Sequence, residues 1–313
     1  MKISLNLRLP SDWGLATAIA LVLSLPAAHG EQLGLDTIKA EAEAGGAEAQ
    51  FLLGKASLNG EGVPSDAVKA VALFRKAAEQ GNIRAQHNLG ALYIAGRGVE
   101  EDESEGAKWI RKAAEQGAAL AQDALGSLLL RGSGVPQDPQ QATDWFRKAA
   151  EQGLVEAEVH LGQLYYFGDQ GVEKDYAEAA KWVKAAALQG DLWAQNILGV
   201  MYLEGFGVNK DLGQAVVWLS KAAEKGDAKA QSNLGEMYSE GSGIEQDLPK
   251  AYQWLTLSAE QKEQTAIRLL SGLRASMKSK EIASGERLIE QFKSRETSAS
   301  VTPAPPAESA QEK

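Results

Sequence analysis

Six aspartates recur at one position of a repeating pattern: Asp66, Asp102, Asp138, Asp175, Asp211 and Asp247. Four of them carry Glu or Gln three residues on, at Glu105, Gln141, Glu178 and Gln214. Paired acidic residues can work as general acid and base or hold calcium. An aspartate opening a helix, with Glu or Gln at the third helical position, is also a capping box, and Pro139 directly after Asp138 suits a first helical residue. Capping is the expected role. The histidines offer less. Leaving aside His29 in the leader described below, His87 and His160 lie in different units, and zinc or nucleophilic chemistry needs its groups gathered in space. His160 is expected beside Glu156, one helical turn away, as a solvated pair. Cysteine is absent, which removes disulfides, thiolate metal sites and a cysteine nucleophile. No catalytic residue, metal or cofactor is expected.

The aspartates sit in a unit that recurs six times, at 46–81, 82–117, 118–153, 154–190, 191–226 and 227–262. Five units are 36 residues long and the fourth has one more, in its loop. Such a period signals a solenoid, in which each unit buries its apolar face against its neighbours. The second unit shows the plan. Asn82 caps a first helix, as Asp191 and Asp227 do later, and Ala85, Leu89 and Leu92 form an apolar stripe beside Tyr93. Gly96-Arg-Gly98-Val99 turns the chain, with Val99 and its equivalents Val63, Val135, Val172, Val208 and Ile244 directed into the core. Asp102 opens the second helix and Gly117 stops it.

Glycines and tryptophans obey the same period. Gly54, Gly90, Gly126, Gly162, Gly199 and Gly235 fall mid-helix, where each costs about 1 kcal/mol relative to alanine. Six repetitions imply a packing reason, and the expected one is a crossing by the Ala113-Ala114 pair of the second helix. A phosphate cradle would need a strand before the glycine loop, and no strand pattern occurs. Trp109, Trp145, Trp182, Trp218 and Trp254 share one second-helix position, with Leu73 in the first unit. They are expected as core and not as a stacking ladder for sugars or nucleotides.

The pattern resembles the Sel-1-like repeat family, a relative of the tetratricopeptide repeat, and reads almost whole from Ala194 to Gly226. Ser57 and Leu129 replace its tyrosine, Gly106 an alanine and Lys262 its last glycine. The resemblance implies an all-α fold, a right-handed α/α superhelical solenoid with helical caps, acting as an adaptor. Exported bacterial members of the family are similar to regulators of sensor kinases, envelope or motility components and host-contact factors.

The flanks divide by composition. Lys2 and Arg8 precede the apolar run Leu15–Leu25, and Ala28 and Gly30 bracket His29, so residues 1–30 are expected to be a signal peptide cleaved after Gly30. The run is shorter than the roughly 20 residues of a membrane span, so no membrane insertion is expected once it is removed. The absence of cysteine suits a periplasmic location, with release to the medium as the alternative. Residues 31–45 read as an N-terminal capping helix, 263–295 as C-terminal capping helices, and 296–313, with Pro303, Pro305 and Pro306, as a disordered tail. A net charge of −10 argues against nucleic acid and anionic lipid as partners.

Function is then sought in what the repeat leaves free. The third, seventh, tenth and fourteenth residues of each first helix share one variable face. In units three to five these include Leu120 and Arg131; Glu156, His160 and Phe167; and Trp193, Ile197, Val200 and Glu204. The expectation is a concave groove in which Phe167, Trp193, Ile197 and Val200 hold an apolar segment of a partner protein. Two other classes compete: a cell-wall-related or β-lactamase-like enzyme, for which the chain lacks a Ser-x-x-Lys motif, and an inert structural spacer.

Overall fold

A computed structural model describes residues 34–168 and 171–301, and every regular element among them is helical. The helices are α1 (Leu35–Glu43), α2 (Ala47–Asn59), α3 (Ala67–Glu79), α4 (Ile83–Ala95), α5 (Glu103–Glu115), α6 (Ala119–Arg131), α7 (Pro139–Ala150), α8 (Val155–Phe167), α9 (Tyr176–Leu188), α10 (Leu192–Glu204), α11 (Leu212–Glu224), α12 (Ala228–Glu240), α13 (Leu248–Glu260), α14 (Gln264–Ser276) and α15 (Ser279–Val301). From α2 to α13 they pair as six helical hairpins, one per repeat. The described chain divides into two compact units, which part inside α9 after Ala186. The expected signal segment, Asp169 and Gln170 of the fourth loop, and the chain from Thr302 lie outside the described residues.

Each hairpin closes by one device. The side chains of Asp66, Asp102, Asp138, Asp211 and Asp247 accept from the backbone N–H three residues on, and Asp175 accepts from Ala177 and Glu178. The reciprocal half of the capping box is replaced. The backbone N–H of each aspartate donates across the loop to a carbonyl of the first helix, as from Asp102 to Tyr93 at 2.9 Å and from Asp211 to Tyr202 at 2.9 Å. The aspartate therefore caps one helix while its own N–H ties that helix to its partner. Gly98 and Gly134 serve the loop twice over, with positive φ and with a Cβ position only 2.4 Å from Ala67 O and 2.1 Å from Glu103 O.

The mid-helix glycines answer to a different crossing from the one expected. A Cβ on Gly54 or Gly126 would lie 2.8 Å from Phe74 or Phe146, and on Gly199 or Gly235 2.6 or 2.7 Å from Leu219 or Leu255. The residue after the tryptophan position thus fills the glycine notch. The Ala113-Ala114 pair is buried in a cluster with Ala121 and Leu125 of the following unit. Trp109, Trp182, Trp218 and Trp254 are buried and Trp145 is partly so. Lysines lie over Trp109, Trp145 and Trp218 at 3.8–4.1 Å from the ring, each from three residues on. Trp254 has Leu257 there and takes Phe292 of α15 edge-on at 5.4 Å.

Neighbouring hairpins are also joined by glutamines that the sequence reading passed over. Gln86 donates to Ala78 O of the preceding unit and accepts from Gln116 at 2.6 Å. Gln50, Gln122 and Gln231 repeat the rung with Gln80, Gln152 and Gln261. In the fifth unit Lys225 occupies the donor's place, and Gln195 Oε1 is buried without a partner.

Both ends continue the pattern. Ala42 O of α1 accepts from Gln50 as Ala78 O does from Gln86, which makes α1 the second helix of an opening half-unit. Glu263 caps α14 through Ala266 N, and Ala266 is fully buried, as at the start of a seventh unit. Helix α15 runs to Val301, so the tail expected from residue 296 begins with helix.

Candidate functional site: the first-helix face

Numbering each unit from its first residue, the fourth and eighth positions of the first helix face the core and the sixth and seventh face the neighbouring first helices. Two hydrogen bonds define that seam. His160 Nδ1, seventh in unit four, meets Asp123 Oδ1, sixth in unit three, at 2.7 Å. Asn233 Nδ2, seventh in unit six, donates to Asn196 Oδ1, sixth in unit five, at 3.1 Å. His160 therefore pairs across units with Asp123 and not along its helix with Glu156. It is also held against the Phe146 ring at 4.8 Å between centroids. Asp123 is buried, so the pair is a partly desolvated joint between hairpins and not the solvated one expected.

The remaining candidates divide by exposure. Within the unit ending at Ala186, Leu120, Glu156 and Phe167 are half-buried and Arg131 is exposed at the end of α6. Phe167 packs edge-on against Tyr166 at 5.0 Å. In the unit from Ala187 onward, Trp193 is half-buried and Glu204 exposed. Ile197 and Val200 are 0% and 1% exposed. Those two positions are corrected: their side chains are not presented on a free surface. Phe167 and Trp193 lie in different compact units.

The sixth position is the signal that was missed. It carries Phe51, His87, Asp123, Val159, Asn196 and Ser232, a mixture that core packing alone does not explain. His87 is the outlier. Its Nδ1 is buried without a hydrogen-bond partner. Desolvation lowers its pKa to about 4, against a smaller opposing pull from Asp123, so the ring is neutral at pH 7. The imidazole lines a cavity of about 90 Å³ on the first-helix face, spanning α2, α4 and α6, with Phe51, Leu52, Ile83, Leu120 and Ala121 among its walls. Arg84 lies over the Phe51 ring at 4.5 Å and is ion-paired with Glu48. Among the described residues no group of acidic, histidine or cysteine side chains could hold a metal ion. No described helix is long and apolar enough to cross a membrane.

The Sel1 repeat family model matches residues 47–82, 83–117, 119–154, 155–191, 194–227 and 228–263. The chain belongs to the Sel1 repeat family. Among solved structures, a Sel1 repeat protein from Oxalobacter formigenes is 34% identical with a TM-score of 0.63, covering 82% of this chain and 99% of that one. The c5321 protective antigen of uropathogenic Escherichia coli, described as displaying an SLR fold, is 28% identical over 89% of this chain and 76% of its own, at a TM-score of 0.36. The immunity protein Pa5087 from Pseudomonas aeruginosa is 22% identical over 74% of this chain and 83% of its own, at 0.38. No curated protein matches. The Sel1 repeat solenoid is a fold typical of protein–protein interaction scaffolds, and the repeat matches cover both compact units.

Proposed function

We propose that this Sel1 repeat protein is an exported, periplasmic interaction scaffold or regulator that holds a segment of a partner protein on its first-helix face. One observation carries the reading. The residues that every unit needs for stacking lie on the hairpin seams, whereas the first-helix face of α2, α4 and α6 carries an open, mostly apolar cavity whose walls include side chains that differ from unit to unit, such as Phe51, His87 and Leu120. Leu120 belongs to that wall. Trp193, a half-buried aromatic outside the repeated tryptophan position, is the corresponding anchor in the unit from Ala187 onward. Aromatic and aliphatic anchors surrounded by indifferent contacts are the usual energetic centre of an interface. Export is supported by the leader-like composition of residues 1–30.

Photo-crosslinkers placed in turn at Leu120 and Trp193 test the binding reading in cells. Val68, 69% exposed on α3, is the control position. A partner adduct from position 120 or 193 that is absent from position 68 is the expected result. The same adducts from all three positions, or none from either test position in folded protein, would overturn it. Export is tested separately: the intact mass of the protein from the periplasmic fraction should correspond to a chain starting at Glu31, and an uncleaved chain confined to the cytosol contradicts it.

A further inference from the structure

We infer that Asn88 holds the main chain of the partner segment, which crosses the first-helix face of α2, α4 and α6 in extended form and carries a carboxylate. The inference rests on the proposed binding face, and it begins from an amide that the fold leaves idle.

The seam joins the sixth residue of one unit to the seventh of the next, thirty-seven positions on, as in Asn196 and Asn233. Asn88 is the seventh residue of its unit, and the same step back arrives at Phe51, which offers an amide no such partner. Asn88 is 7% exposed, and its side chain makes no hydrogen bond to the protein. Neither of its amide atoms is sealed from water as His87 Nδ1 is, and Asn88 lines the cavity. The amide is therefore both unpartnered and reachable. Packing does not call for it, because Leu52 stands at the same position in unit one. A bound group that uses the amide accounts for the difference.

The amide itself says what that group is. Its nitrogen donates and its oxygen accepts, so its complement presents an acceptor and a donor side by side. One residue of an extended chain does so, with its N–H and C=O directed to the same side as in a strand pair. A helical segment spends both groups on its own turns, and only its ends could answer. An extended segment keeps them free and sends its side chains onto the apolar walls, Phe51, Leu52, Ile83 and Leu120. The charged members of the wall, Lys55 and Arg84, are both cations, although the chain carries a net charge of −10. That local field favours a segment with a carboxylate over one with lysine or arginine.

The test uses the blocked tetrapeptide Ac-Leu-Glu-Leu-Leu-NHMe and analogues in which each amide N–H in turn is replaced by an ester oxygen. Each replacement removes one main-chain donor and leaves the side chains unchanged. On the full chain labelled at Leu and Ile methyls and at Asn side-chain nitrogen, saturable binding should shift the Ile83 and Leu120 methyls and the Asn88 amide. One ester should bind about fivefold or more weakly than the parent, the loss of a single hydrogen bond. In Asn88→Leu that ester and the parent should bind alike. No saturable binding, shifts confined to another part of the chain, or esters that all match the parent would each overturn the inference, whether or not the variant folds. So would an ester penalty that persists in folded Asn88→Leu, or a peptide with lysine in place of its glutamate that binds as well as the parent. Crosslinking from positions 120 and 193 is read independently: adducts there without peptide binding sink this inference alone, whereas their absence sinks the binding face.

Discussion

Gly106 departs from the alanine of the Sel1 repeat, and restoring that alanine should destabilise this protein. The equivalent residues Ala70, Ala142, Ala179, Ala215 and Ala251 are buried without difficulty. At Gly106, however, an added Cβ would sit 2.5 Å from Ile94 Cγ1 and 2.8 Å from Gly90 O, where carbon atoms rest at about 3.5–4.0 Å. Ile94 is 8% exposed and cannot swing clear, and Gly90 O is backbone. Overpacking of this kind costs roughly 1–3 kcal/mol. Alanine's better helix propensity returns up to about 1 kcal/mol, leaving a net loss of about 1–2 kcal/mol. Urea unfolding followed by far-ultraviolet circular dichroism measures it, and a double-mutant cycle with Ile94→Ala assigns it. The loss on Gly106→Ala should shrink by at least about 1 kcal/mol when the isoleucine branch is gone. A Gly106→Ala protein as stable as the wild type, or a loss unchanged in the Ile94→Ala background, would refute the packing argument.

Two more changes follow from buried polar groups. His87 has an unfolded pKa of 6.5 and a folded one of about 4, so between those values the unfolded chain binds more protons than the folded one. Stability should therefore fall as pH drops from about 6.5 towards 4, by about 3 kcal/mol in all, and His87→Leu should lack that part of the slope in urea titrations run across the range; equal slopes would contradict the burial of a neutral imidazole. In the fifth unit, Lys225→Gln should complete the glutamine rung to Gln195 Oε1 and raise stability by about 1 kcal/mol, read as a higher urea midpoint. No gain would mean that Lys225, whose Nζ is 3.5 Å from Gly190 O, already does the same work.

The hairpins were legible because their determinants are local or strictly periodic. An aspartate before a helix, a glycine after it and an apolar stripe at helical spacing each specify a conformation within a few residues, and six repetitions remove the ambiguity of any one. What escaped was pairwise. Gln86 and Gln116 are thirty residues apart and unremarkable separately, and only the closed hairpin brings them to 2.6 Å. The glycine notch was anticipated, but its occupant was misassigned, because Ile110 and the Ala113-Ala114 pair lie one turn apart on the same helix stripe. For the first-helix face, the third, seventh, tenth and fourteenth positions include Leu120 and Trp193, which the fold leaves half-buried. The same positions include Ile197 and Val200, which the fold buries, and they leave out the sixth. Asp123 and His160 differ by one register position, so no comparison of equivalent residues aligns them.

That one-position offset can itself be tested. If the sixth residue of one unit faces the seventh of the next throughout, then Ala124→Asn places an amide opposite His87, using a residue that units two and six already carry there as Asn88 and Asn233. The buried Nδ1 would gain a donor, and stability should rise by about 1 kcal/mol. No gain at all would show that the seam rule, drawn from the two pairs Asp123–His160 and Asn196–Asn233, does not extend to the second unit.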